Sequence, residues 1–302
     1  MSAPARAGGT LPEPPGAAVT HPEPPAAPVA LPEPPAEAFA GANLSLPSLP
    51  NLRDVGGHPT GDGGRVRTGL LYRSADLGRV AGADAAVLAG LGLRTVYDLR
   101  TAGERAAQPD RVPPVSVYVV ADVLRDSTGM TPADFGLLFE DLPAAREALG
   151  DGRAAMFFVD AYREFVTLAS ARAGYGRLFA DIATGTALPA LFHCTTGKDR
   201  TGWAAAALLL FLGVPQDVVL DDYLASGPLL GPLTRPMFDA FAARGGDRGL
   251  LEPLLAVRPA YLASALDEVG RRFGTIEGYF SDGLGLDAVA RAGLRARLVE
   301  RP

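Results

Sequence analysis

The chain reads as an α/β domain with a central, largely parallel sheet flanked by helices, and three observations predict it. Short runs rich in β-forming residues alternate with helical patterns between residues 70 and 212. One of these runs, Pro189-Ala190-Leu191-Phe192, passes through a glycine-containing loop directly into a long apolar helix. Finally, chemistry-bearing residues fall at the carboxyl ends of the runs, the edge at which open α/β sheets hold their ligands.

The first 42 of the 302 residues stand outside this pattern. Leu11-Pro12-Glu13-Pro14-Pro15 recurs as His21-Pro22-Glu23-Pro24-Pro25 and Leu31-Pro32-Glu33-Pro34-Pro35, with alanine and glycine between. Proline breaks helix and sheet bonding and little apolar bulk is available for a core, so residues 1–42 are expected to be a disordered, polyproline-rich tail. It serves as a spacer or as a docking ligand for a proline-binding module. The folded domain is expected over 43–302. Strands are predicted at 70–73, 95–99, 115–120 and 190–193, and helices at 84–91, 156–170, 175–184 and 201–212. Gly213 before Val214-Pro215 stops the last of these. Residues 225–258 suggest two short helices, 237–243 and 250–257, on flexible connections, which act either as a lid or as ordinary packing helices. From Ala260 onward, Tyr261, Leu262, Leu266, Phe273, Tyr279 and Phe280 mark a helical layer that packs on the core.

Composition narrows the function. Half of the formal net charge of −6 sits on the tail, where Arg6 faces Glu13, Glu23, Glu33 and Glu37. The remainder is mildly acidic without a long basic run, which gives no support for nucleic-acid binding or attraction to a membrane surface. The single cysteine excludes an intramolecular disulfide and a multi-cysteine metal site. Histidine occurs only at His21, His58 and His193, so no cofactor and no zinc or redox metal is expected, although an all-carboxylate magnesium site stays open. The longest apolar run, Trp203 to Leu212, falls short of the roughly 20 residues that span a bilayer. Without a signal-peptide pattern at the N-terminus, a cytoplasmic location is the default expectation, with export by an unrecognised route left open. No motif sets an oligomeric state.

The informative segment is His193-Cys194-Thr195-Thr196-Gly197-Lys198-Asp199-Arg200-Thr201-Gly202. Five residues separate the cysteine from the arginine, a span that wraps one phosphate with backbone N–H groups from the turn and the helix start. A cysteine pKa of roughly 8.5 falls to about 3.5–7.5 at a helix N-terminus among cations, which makes Cys194 a candidate thiolate nucleophile. Arg200 offers a planar fork matched to two phosphate oxygens. Gly197 supplies a position without Cβ where backbone approaches the ligand or takes positive φ. Thr195, Thr196, Gly197, Lys198 and Asp199 complete the phosphate cradle, and the Thr201 hydroxyl is a candidate donor to the leaving sulfur. A nucleotide-binding reading of Gly197-Lys198 fails because Phe192 and Asp199 stand where that motif needs glycine and a hydroxyl residue.

This segment resembles the loop of the cysteine-dependent phosphatases, and more narrowly that of the bacterial PtpB-type tyrosine and dual-specificity phosphatases. Asn51-Leu52-Arg53-Asp54-Val55-Gly56-Gly57, Leu71-Tyr72-Arg73-Ser74-Ala75, Val96-Tyr97-Asp98-Leu99-Arg100 and Asp222-Tyr223-Leu224 are similar to further elements of that family, in the same order. The resemblance implies a metal-independent hydrolase that passes through a phosphocysteine. It implies a protein phosphorylated on tyrosine, or on serine or threonine, or a phosphoinositide as substrate partner. Lys198 beside the nucleophile bears on the phosphoinositide, because a second cation favours a second phosphate; alternatively it ties down a neighbouring acid. The Trp-Pro-Asp loop of many relatives is absent, as Trp203 precedes Ala204-Ala205. The resemblance points instead to Asp199 within the loop or Asp98 outside it as the general acid, with Asp122 a weaker candidate. His193 is expected to support the loop. Two other readings remain, a phospho-ligand-binding pseudophosphatase and a thiol-dependent sulfur- or arsenate-handling enzyme.

Overall fold

The computed structural model describes Met1 and residues 43–129 and 141–301. The expected tail thus lies outside the described residues except for Met1. The sheet holds β1 (Arg53–Asp54), β3 (Leu71–Ser74), β4 (Thr95–Asp98), β5 (Val117–Val120) and β6 (Ala190–His193), in the order β1-β3-β6-β4-β5. β3, β6, β4 and β5 run parallel, and β1 alone pairs antiparallel at one edge. A small second sheet joins β2 (Arg65–Val66) to β7 (Val299–Glu300).

Every residue of β3, β4 and β6 is buried, as expected for parallel strands covered on both faces. Register fixes the functional edge: Ser74 and Asp98 both stand opposite His193, so the ends of the three strands are level. Cys194 therefore leaves the sheet in its middle, with β3 and β4 on either side.

Helices α1 (Gly82–Gly90) and α2 (Ala102–Ala107) follow β3 and β4. Next come α3 (Leu142–Leu149), α4 (Arg153–Thr167) and α5 (Ala169–Thr184). The loop after β6 enters α6 (Arg200–Phe211), which is apolar around its whole circumference and buried along almost all of its length. A helix with no polar face belongs in the interior. Here it runs through the hydrophobic core. α7 (Gln216–Leu224), α10 (Pro259–Phe273) and α11 (Ala288–Leu298) complete that layer, and Tyr261, Tyr279 and Phe280 are buried in it as expected.

Residues 225–258 depart from the expectation of short helices on flexible connections. α8 (Ser226–Ala243) is one helix of 18 residues, followed by α9 (Arg248–Leu255). α8 runs through Pro228, Pro232 and Pro236. Pro228 lies in the first turn, where a missing N–H costs nothing, and the others follow at four-residue steps along one stripe. Each later proline leaves a helical hydrogen bond unmade on that stripe alone, and the remaining faces carry the helix on.

Because α6 is enclosed on all sides, truncating it leaves a void that its neighbours cannot fill. Leu208→Ala is expected to cost about 2–5 kcal/mol, read as a lowered urea midpoint with an unchanged slope.

Candidate active site

The loop between β6 and α6 is shaped by where its carbonyls go. The Cys194 carbonyl accepts from His193 Nδ1 at 3.1 Å, that of Thr195 from the Asp76 N–H at 3.2 Å, that of Thr196 from Asn51 Nδ2 at 3.0 Å, and that of Gly197 from Arg73 Nη2 at 2.9 Å. Four consecutive carbonyls thus point outward to donors supplied by surrounding parts of the chain. In a planar trans peptide the N–H points opposite to the C=O, so the N–H groups of Thr195, Thr196, Gly197 and Lys198 converge on the inside of the loop. Gly197 makes this turn possible: its φ is 69°, and a Cβ there would lie 2.2 Å from the Ser74 carbonyl oxygen.

Cys194 sits at the base of this cup, 1 % exposed. Arg73 and Arg200 both lie within electrostatic reach of its sulfur. Arg200, at the first turn of α6, is clamped by Glu104 of α2 through two parallel bonds of 2.7 and 2.6 Å. Thr195 Oγ1 also donates to Glu104. Burial works against the charge on Glu104, but Arg200, Thr195 and the Thr101 N–H outweigh it and hold the carboxyl at about 2. Thr101 and Glu104 form a capping box at the start of α2, which aims the carboxylate.

Beneath the cup, Asp222 of α7 bonds Arg53 Nε at 3.1 Å and Arg73 Nη1 at 2.9 Å, with both guanidinium groups fully enclosed. Burial again opposes its charge; the two arginines prevail and leave Asp222 at about 2. Arg53 also donates to Asn51 and to Ser226 Oγ at the root of α8. Asn51 takes a left-handed φ of 61°, a conformation asparagine tolerates better than most residues.

Asp98 is wholly buried rather than open to the cup. It accepts from Arg100 Nε and Nη2 and from the Tyr118 hydroxyl. Burial raises its carboxyl, but His193, Arg100 and Tyr118 outweigh that and hold it well below the usual range. Arg100 also bonds Asp110, so a single guanidinium lies between these two carboxylates. Asp199 Oδ1 accepts from Lys198 Nζ at 2.8 Å and from the Tyr162 hydroxyl at 3.0 Å, and its side chain keeps 18 % exposure. Lys198 is buried, with its ammonium 4.7 Å from the Phe158 ring centre. Asp122, beyond β5, accepts from the Leu124 N–H alone among the described residues and lies 3.8 Å from Arg105. The Thr201 hydroxyl is buried without a hydrogen-bond partner among the described residues.

A cleft of about 770 Å³ borders the cup at Thr195 and Thr196. Its walls are Leu46, Pro47 and Pro50 on one side and Pro228, Leu229, Pro232 and Leu233 of α8 on the other, with Asp76 and Arg79 at its rim. Glu104, Tyr162 and Asp110 have no sequence signal of a functional kind, whereas Tyr223 lies in the Asp222-Tyr223-Leu224 element. The capping box announces a helix at Thr101, but nothing in it tells that Glu104 faces Arg200.

A cysteine at the end of a central parallel strand, an arginine at the following helix start and a ring of inward amides between them define a cysteine-dependent phosphatase. Comparison of sequences agrees. A model of the tyrosine phosphatase family matches residues 44–300, and the chain belongs to that family. It is 34 % identical over 252 residues to a provisionally named tyrosine-protein phosphatase of Cupriavidus necator, covering 83 % of this chain and 87 % of that one. It is 31 % identical over 261 residues to the triple specificity protein phosphatase PtpB of Mycobacterium tuberculosis, covering 78 % and 92 %. A tyrosine-protein phosphatase of Nostoc commune is 35 % identical over 159 residues, about half of each chain. No helix among the described residues is long and apolar enough to cross a membrane.

Two tests follow from the buried charges. Asp222→Asn leaves two enclosed guanidinium groups without a counter-charge and is expected to cost about 3–5 kcal/mol in urea unfolding. For Glu104 the folded value of about 2 lies below the ordinary 4.5, so its contribution is fully present above pH 4.5 and is lost as pH falls through 2. The stability gap between wild type and Glu104→Gln should therefore be wide at pH 6 and close towards pH 2.

Proposed function

We propose that this phosphatase hydrolyses phosphotyrosine, and aryl phosphates like it, through a phosphocysteine formed on Cys194. The observation that carries the reading is the outward fixing of four loop carbonyls, which leaves amides and Arg200 to hold the three equatorial oxygens of a phosphoryl group. Cys194 Sγ attacks phosphorus in line, the ester oxygen departs with a proton, and water then displaces the sulfur. The unpartnered Thr201 hydroxyl is suited to donate to that sulfur in the second step, since a buried hydroxyl without a partner is otherwise costly. His193 supports the loop through the Cys194 carbonyl.

The apolar walls of the cleft suit an aromatic ring carrying the phosphate, flanked by apolar residues of a protein substrate. A phosphoinositide would need Lys198 to release Asp199 and leave its place over Phe158, which weighs against a second phosphate being read there. For proton delivery, Asp98 is disfavoured because its carboxylate is spent on Arg100 and Tyr118. Asp199 is the carboxyl within the loop and keeps partial exposure. Asp122 is the second reading, favoured by its sparse bonding at the same sheet edge. The domain is read as spanning 43–302, with 225–258 as the segment able to move over the cleft.

Phosphate release from phenyl phosphate and from 2,4-dinitrophenyl phosphate, in chelator, tests the scheme. Wild type should turn over both, and Cys194→Ser neither; release that survives Cys194→Ser, or that chelator abolishes, rejects the mechanism. The true acid is the aspartate whose change to asparagine slows the phenyl ester by ~10²- to 10⁴-fold while sparing the dinitrophenyl ester, whose leaving group needs no proton.

A further inference from the structure

We propose that Tyr162 and Tyr223 are positioning residues for Asp199: they pin one oxygen of its carboxyl, Oδ1, and so keep the other, Oδ2, for the proton exchanged with the ester. Asp199 occupies the N-cap position of α6, where an aspartate ordinarily turns back to accept from the first N–H groups of its own helix. Its side chain makes no such bond. Instead Oδ1 accepts from Lys198 Nζ at 2.8 Å and from the Tyr162 hydroxyl at 3.0 Å, while Oδ2 has no hydrogen-bond partner among the described residues. Both restraints come from one face of α4. Phe158 and Tyr162 are four residues apart and share a side of that helix. Phe158 holds the Lys198 ammonium 4.7 Å from its ring centre, and Tyr162 reaches the carboxyl. Tyr261 of α10 packs on both rings, with centroids 5.2 and 5.8 Å away, and fixes them laterally.

Proton inventory then fixes the direction of the chain. Tyr162 and Tyr223 are fully buried, and each hydroxyl carries one proton. That of Tyr162 goes to Asp199, so the 2.7 Å bond between the two hydroxyls is donated by Tyr223. Donation therefore runs from Tyr223 to Tyr162 to Asp199. Burial first, and the Asp199 charge after it, push both hydroxyls far above the ordinary tyrosine value, so neither gives up its proton. An oxygen that always receives a hydroxyl proton and an ammonium proton has no place for a third, and a proton on Asp199 sits on Oδ2. In the first step the S–P bond forms, the P–O ester bond breaks and Oδ2–H passes its proton to the departing oxygen. In the second, water bonds to phosphorus, the P–S bond breaks and Oδ2 takes the proton that the water loses. Neither tyrosine touches substrate; both act through Asp199.

This role rests on Asp199 being the residue that moves the proton, and the measurement separates the two. Values of kcat/KM, which report formation of the phosphocysteine, are compared for phenyl, 4-nitrophenyl and 2,4-dinitrophenyl phosphate, whose leaving groups need a proton in falling degree. In Asp199→Asn the phenyl ester should slow by ~10²- to 10⁴-fold and the dinitrophenyl ester little. Tyr162→Phe should slow the phenyl ester by about tenfold, as expected for one lost hydrogen bond to a charged group, and the dinitrophenyl ester by less than about twofold. Tyr223→Phe leaves Tyr162 its bond to Asp199 and should lose less. Because Tyr162→Phe orphans the enclosed Tyr223 hydroxyl, the double variant Tyr162→Phe/Tyr223→Phe removes both groups together and should show the same dependence on the ester as Tyr162→Phe. A merely structural role would slow all three esters alike. A uniform loss, or none, in Tyr162→Phe and the double variant, while Asp199→Asn keeps its dependence on the ester, overturns the proposal alone. An Asp199→Asn protein without that dependence overturns the choice of acid, and the role of the tyrosines with it.

Discussion

The structure depends on keeping four successive peptide planes of one loop turned the same way. A loop whose amides all face inward has carbonyls that all face the protein, and buried carbonyls need donors. Each donor comes from a different neighbourhood: the residue before the nucleophile, the turn after β3, the segment before β1 and the third residue of β3. The chemistry is thus written on the inside of the loop, and the fold supplies its outside.

The same requirement explains why short motifs far apart in the chain belong together. Asn51 and Arg73 hold loop carbonyls; Arg53 and Asp222 hold Arg73 and Asn51; Tyr223 pairs with Tyr162, which holds Asp199. Asp98 and Arg100 stand around His193. Such buried pairs contribute little net stability compared with a packed apolar substitute, since desolvation consumes most of the attraction. Their value lies in geometry. A guanidinium bonded on three sides has one position, and the carbonyl it holds then has one orientation.

Much of this was legible in the sequence, and the boundary of legibility has a physical cause. The strand at 190–193, the loop and the helix after it were all predicted, because each is a local statement of apolar run, glycine and apolar run. The parallel alternation placed Asp98, Ser74 and Cys194 at one sheet edge, as register later showed. The sequence could not tell that Asp98, so placed, turns away to Arg100, nor that Lys198 is spent on Asp199. Partner choice among charged side chains is tertiary. α8 was misjudged for a related reason: prolines at four-residue spacing read as breaks in isolation, whereas on one stripe of a packed helix they are absorbed.

In the proposed reaction, Arg200 shows what this arrangement gives to catalysis. A free arginine loses much side-chain freedom when it grips a phosphate, and that loss weakens binding. Here Glu104 has already fixed the guanidinium with two bonds, from a helix whose own capping box fixes Glu104. Nη1 retains a second N–H and Nε retains its own, while the second N–H of Nη2 faces Thr195 Oγ1 at 3.5 Å, so the clamp leaves donors for phosphate. The ordering cost therefore falls on folding rather than on substrate binding. An electrostatic site needs no rearrangement as charge moves from the attacking sulfur to the phosphoryl oxygens and the leaving group, and that is when preorganised dipoles lower a barrier most.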